Sequence, residues 1–170
     1  MTMNSSSDSG RISHLLAGDL GKVLGERALL RLVFEVVQTV DARVLEQQTG
    51  LTPEFRPQMM LTLVTYCYAA SLFGSRDIQF AIGTDPTVRY ICARTYPGWQ
   101  AIRRFRRTNR EFIRHCLAEV MRRAWAHRFD AGEADYAGYE WFETDFADQL
   151  EEVVKERLDT AALMDGADSD

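Results

Sequence analysis

Lysine is nearly missing from this sequence. Only Lys22 and Lys155 are lysines among 20 basic residues, and none lies between residues 76 and 128. Cysteine is sparse too. Cys67, Cys92 and Cys116 are an odd number with no close pair, and each sits in an apolar or helical stretch. That excludes a disulfide framework and fits a reducing cytoplasm. Long apolar runs are missing. The longest, Met59 to Phe73, spans 15 residues and is interrupted by Thr62, Thr65 and Ser71, short of the roughly 20 that cross a bilayer. The N-terminal MTMNSSSDSGR has no apolar signal core. No alternating strand pattern of useful length occurs. These absences lead us to expect an all-α, cytoplasmic chain without membrane contact.

Chemistry-bearing sets are also scarce. His14, His115 and His127 lack metal-ligand spacing. His115 and Cys116 are adjacent, about 100° apart on a helix, so they do not converge on a metal, and nothing marks an activated thiolate for a Cys–His nucleophile. GDLGKVLGE (18–26) lacks the Gly-Lys-Ser/Thr ending and preceding strand of a phosphate loop. No metal, cofactor or enzymatic activity is expected. Tyr66, Tyr68 and Phe73 read as core, and Trp99 and Trp125 as packing residues at the two ends of an arginine-rich segment.

What is present is charge of one sign, in blocks. Residues 1–75 carry -1, residues 76–128 carry +8 from twelve Arg against four acids, and residues 129–170 carry -12, within a net charge of -5. Such segregation suggests a basic working surface and an acidic segment with a separate role. Residues 1–10 are Ser- and Asp-rich and read as a disordered tail. Residues 11–128 read as one helical domain, 129–164 as an acidic C-terminal amphipathic segment, and 165–170 as a second tail. The expected architecture is a compact bundle of about six to seven helices.

The apolar spacing predicts a long buried helix over Glu26 to Gln48, a loop over 49–57, and a central core helix from Gln58 to Phe73, opened by Pro57 and closed by Gly74. Short helices follow at about 76–82 and 86–93, the second capped by Asp85. A turn, TYPG (95–98), leads into a long helix from Trp99 to His127. Its residues Ile102, Phe105, Asn109, Ile113, Cys116, Val120 and Ala124 form one buried stripe. Arg103, Arg107, Arg110 and Arg114 form a parallel stripe that must face outward, because four like charges are not buried together. Arg104 points farther round, and Arg106 sits at the edge of the apolar face. Two readings stay open. The arginines could be a solvated face, with Glu111 pairing Arg107 and Arg114, and Glu119 pairing Arg122 and Arg123. They could instead hold phosphates, since guanidinium forks match phosphate geometry. Two short helices before a basic helix form a helix-turn-helix-like order.

The stretch from Phe55 to Arg107 resembles the N-terminal helical domain of bacterial insertion-sequence transposases of the DDE class. The elements are, in order, a proline before a Met/Leu/Tyr-rich helix (Pro57 to Tyr68), Gly74-Ser75-Arg76, Asp85 with Val88 and Arg89, and Pro97 leading to Ile102, Phe105, Arg106 and Arg107. The resemblance covers roughly residues 20–128. It implies binding of double-stranded element-end DNA. Arg103, Arg104, Arg106, Arg107, Arg110 and Arg114 are the candidate contacts, and Arg76 and Arg89 would support them from the preceding helices. Gln100 and Ala101 stand where that family usually has Ser or Thr. The family's catalytic domain would need three acids on a βαβ scaffold, which this sequence does not offer. The expectation is a non-catalytic, transposase-derived DNA-binding module. The alternative is a helical protein-interaction module that no longer binds DNA.

The acidic segment presents Phe142, Phe146, Leu150, Val153, Val154 and Leu158 at helical spacing. It could pack as an ordinary amphipathic helix. It could cover the arginine stripe, in which case deleting everything after Asp130 should raise DNA affinity. It could also bind a protein partner or mediate self-association.

Overall fold

The structure is a computed structural model that describes residues 18–50, 54–130 and 139–167. The expected tail over 1–10, the break at 132–138, residues 168–170 and the side chain of Phe142 lie outside what is described. Nine helices account for the described residues, with no strand among them. We number them α1 (Leu20–Leu24), α2 (Glu26–Val37), α3 (Ala42–Thr49), α4 (Pro57–Ala69), α5 (Ser75–Thr84), α6 (Pro86–Ile91), α7 (Trp99–Thr108), α8 (Arg110–Asp130) and α9 (Tyr139–Ala167). The all-α class is as expected, with more and shorter helices.

α4 is the centre. Every residue from Met60 to Ala69 is buried, so it is apolar on all sides, as a helix enclosed by others must be. α2, α3, α6, α7 and α8 all pack against it. Pro57 occupies its first position, where a missing N–H costs nothing. It ends four residues earlier than expected. Ser71 turns left-handed (φ 59) and lets the Leu72 N–H reach the Cys67 carbonyl at 2.8 Å. Gly74, the expected stop, has φ -67 and instead precedes α5.

Two helices read as continuous are each broken by one short polar side chain. The expected helix over 26–48 divides because the Asp41 carboxylate accepts from the N–H groups of Arg43 and Val44, at 2.9 and 3.4 Å, and so starts α3 afresh. The arginine helix divides at Asn109 (φ -115, ψ 27). Its Nδ2 donates to the Phe105 carbonyl at 3.1 Å, and its Oδ1 accepts from Thr49 Oγ1 at 3.3 Å. Asn mid-helix competes with the backbone in this way. The apolar stripe survives the break: Ile102, Phe105, Asn109, Ile113, Cys116, Val120 and Ala124 are all buried.

α9 closes the bundle. Leu150, Val153, Val154, Leu158 and Ala161 are buried, and the helix packs on α8 and α5. Phe146 meets the Trp125 ring at 5.7 Å, which makes Trp125 a packing residue. Arg157 enters the core at 4% exposure. Its Nη1 donates to the carbonyls of Tyr68 and Ala69 at the end of α4, and its Nη2 to the Gly18 carbonyl at 2.6 Å. Burial lowers this guanidinium to about 10, partly offset by Asp19, and it stays cationic at neutral pH.

All three thiols are buried. Burial pushes Cys92 up to about 11 and Cys116 up to about 12, and raises Cys67 as well, with Cys92 and Asp85 adding to that rise. Thiolate, not thiol, is the nucleophile. An alkylating reagent at neutral pH should therefore leave all three unmodified in the folded protein and label them in denaturant. Fast labelling of the native chain would contradict this packing.

Candidate nucleic-acid interface

The basic segment carries its arginines on α5 to α8 and, for Arg94, in the turn before α7, and the structure sorts them by partner. Arg106 is inside. It is 6% exposed, with Nε 2.9 Å and Nη2 2.7 Å from Asp165 Oδ2. The same carboxylate accepts from the Ser75 N–H at 2.9 Å and the Ser75 hydroxyl at 2.8 Å. Asp165 therefore serves two roles, as counter-ion to α7 and as cap to α5, whose own preceding residue, Gly74, has no side chain to offer. Two expectations are corrected. Arg106 is a buried ion-pair residue and leaves the set of surface contacts. Residues 165–167 belong to α9 and are not part of a tail.

Arg110 and Arg114 are covered at their tips. Arg110 Nη2 lies 2.8 Å from Asp159 Oδ1. Arg114 holds Glu111 at 3.0 Å through Nε and Glu151 at 3.1 Å through Nη1. Glu111 and Glu151 raise the Arg114 guanidinium further, and Lys155 and then Arg110 hold the Asp159 carboxyl below the usual carboxylate range. On α8 the Glu119 carboxylate pairs with both Arg122 and Arg123, as the spacing predicts, and Arg123 also approaches Glu35 at 3.9 Å.

The two supporting arginines have local roles. Arg76 lies over the Trp99 ring, 4.5 Å from its centroid. Arg89 donates to the carbonyls of Ile82 and Gly83, at the end of α5. Trp99 is fixed further by Gln79, whose Oε1 accepts the Trp99 N–H at 2.7 Å. α5 thereby sets the start of α7. The intervening turn is tight: Ala93 (φ 47) and Arg94 (φ 70) are both left-handed, a conformation that costs non-glycine residues energy and needs surrounding structure to hold it. α6 follows α5 after Asp85 alone, with its N–H groups at Thr87 and Val88 capped by that carboxylate at 2.8 and 3.2 Å.

Of the other described arginines of this segment, Arg94 is exposed in the turn before α7, and Arg103, Arg104 and Arg107 lie on α7. Among the described residues none of the three has an acidic partner. Arg104 and Arg107 are exposed, and Arg103 is half-buried with its Nε lacking a hydrogen-bond partner. On an α-helix these positions span about 100°, a single face of α7. The expected pairing of Arg107 with Glu111 does not form, since Glu111 turns to Arg114.

A second group of exposed side chains has no counterpart in the sequence reading. Phe80 on α5, Tyr90 on α6 and Tyr96 in the following turn are 72%, 70% and 68% exposed. The helical positions of Phe80 and Tyr90 show which face they occupy only once the packing of α5 and α6 is known. No group of three or more His, Cys, Asp or Glu placed to hold a metal ion occurs among the described residues, and no described helix is long and apolar enough to cross a membrane. No family model, curated protein or solved structure matches the chain.

Proposed function

We propose that the chain is a non-catalytic, transposase-derived module that binds double-stranded DNA through α7, with Arg104 and Arg107 on backbone phosphates and Arg103 beside them. The observation that carries this reading is the contrast within one basic segment. Arg106, Arg110, Arg114, Arg122 and Arg123 are matched to carboxylates, whereas the three on the outer face of α7 are not. Unpaired guanidinium groups along one helix face suit a row of phosphates. The resemblance of residues 20–128 to transposase N-terminal domains supports the same reading. Phosphate contacts of this kind position a protein on a duplex without reading its sequence.

The test is a mobility shift with random duplex at two salt concentrations. Arg104→Ala with Arg107→Ala should reduce the salt slope of binding by about two and weaken affinity at low salt by about tenfold or more. Unchanged binding and unchanged slope would remove α7 from the interface. The three exposed aromatic residues favour a second reading, a protein-interaction surface on α5 and α6. Under it, wild type shows no shift at any salt, and Phe80→Ala leaves the fold intact while abolishing capture of the partner.

A further inference from the structure

Three carboxylates of α9 meet three arginines in reverse order along the chain. Glu151 pairs with Arg114, Asp159 with Arg110, and Asp165 with Arg106. α9 therefore runs antiparallel to the arginine row. The three pairs differ in kind. Side chains of the first two are 40% to 57% exposed, and those of the third are 7% and 2% exposed. Exposed pairs are weak and screened by salt. The sealed pair is not, because opening it leaves charge in the core.

Resting on the DNA-binding reading above, we infer that Asp159 and Glu151 occupy the phosphate positions of Arg110 and Arg114, making α9 a built-in competitor for the DNA surface. The exchange is one of side-chain partners. Glu151 turns to solvent, and Asp159 keeps Lys155, 3.0 Å away, as its counter-ion. α9 itself stays docked, held by Leu150, Val154 and Leu158 in the core and by the Asp165–Arg106 pair. The contact surface then runs from Arg103, Arg104 and Arg107 on α7 to Arg110 and Arg114 on α8. Its second half is available only to a polyanion that outcompetes two carboxylates. Phosphodiesters are suited to this, because many of them act together and each contact releases condensed counterions from the duplex.

The experiment compares the full-length wild type with Glu151→Gln/Asp159→Asn and with Glu152→Gln/Glu156→Gln. The last pair removes the same charge from exposed positions of α9 that hold no arginine. With random duplex, the first variant should bind about tenfold tighter at low salt, with a salt slope steeper by about two. The second should change affinity less than twofold. Glu151→Gln alone, with its melting temperature unchanged, should give about threefold and a slope steeper by about one, and it keeps the test open should the double variant misfold. Equal tightening in both double variants would reduce the effect to net charge and overturn the inference. No tightening in Glu151→Gln/Asp159→Asn, with wild type still binding through Arg104 and Arg107, would overturn it and spare the DNA reading. Failure of every protein to bind at the lowest salt would overturn both.

Discussion

A chain ending at Asp130 should not fold cooperatively. Removing α9 uncovers the faces of α5 and α8 that receive Leu150, Val153, Val154 and Leu158. At about 1.5–3 kcal/mol per fully buried side chain of this size, the four account for roughly 6–12 kcal/mol. Total stabilities of domains lie around 5–15 kcal/mol. The truncation also strips Arg157 from the end of α4 and Asp165 from Arg106 and Ser75. Calorimetry or urea unfolding followed by far-ultraviolet circular dichroism should show a broad, non-cooperative transition, where the full chain gives a sharp one. A sharp transition in the truncated chain would mean that α9 is an appendage and not part of the core. The deletion test suggested by charge segregation alone is therefore a poor measure of masking. Any gain in DNA binding would come from a chain that has lost its fold, and the neutral carboxylate substitutions replace it.

Asp165→Ala should be the most damaging single substitution outside the apolar core. It leaves the Arg106 guanidinium at 6% exposure without a counter-ion and removes the partner of the Ser75 N–H and hydroxyl. Breaking one side of a buried pair costs about 3–5 kcal/mol. For a chain of this size that lowers the melting temperature on the order of 10 °C. Replacing both members with apolar residues, Arg106→Met with Asp165→Leu, should recover more than half of the loss, because no charge is then stranded. A double variant no better than Asp165→Ala would show that capping of α5, and not charge compensation, dominates at this position.

The pattern of apolar residues identified the helical class, the enclosed central helix and the buried stripe from Ile102 to Ala124, and the Asp85-Pro86 pair identified the cap of α6. Each of these depends on neighbours within one or two turns, which periodicity reports. What it could not report was set by distant partners. Asn109 reads as one member of the buried stripe of a continuous helix, and only Thr49 and the packing of α3 on α7 give its side chain a reason to break the ladder. Arg106 looked like a rim arginine because its partner lies 59 residues on. Asp165 sits in MDGADSD, whose composition is that of a tail. Its burial follows from the packing of α9 on α5 and α8, which no local window contains. Of the arginine face, the positions were legible and the partners were not. Sequence spacing offered Glu111 to Arg107 and Arg114 alike, and only the fold assigns it to Arg114.

The hydrogen bond from Arg157 to the Gly18 carbonyl spans 139 residues of sequence. Most helical bundles form from local contacts and fold fast, whereas a contact across so long a loop must wait for the rest of the chain. During synthesis the arginines of α7 and α8 leave the ribosome before the carboxylates that will cover them. For the time needed to make about fifty more residues, at roughly 5–20 residues per second, Arg106, Arg110 and Arg114 are without the α9 carboxylates that pair with them in the finished fold.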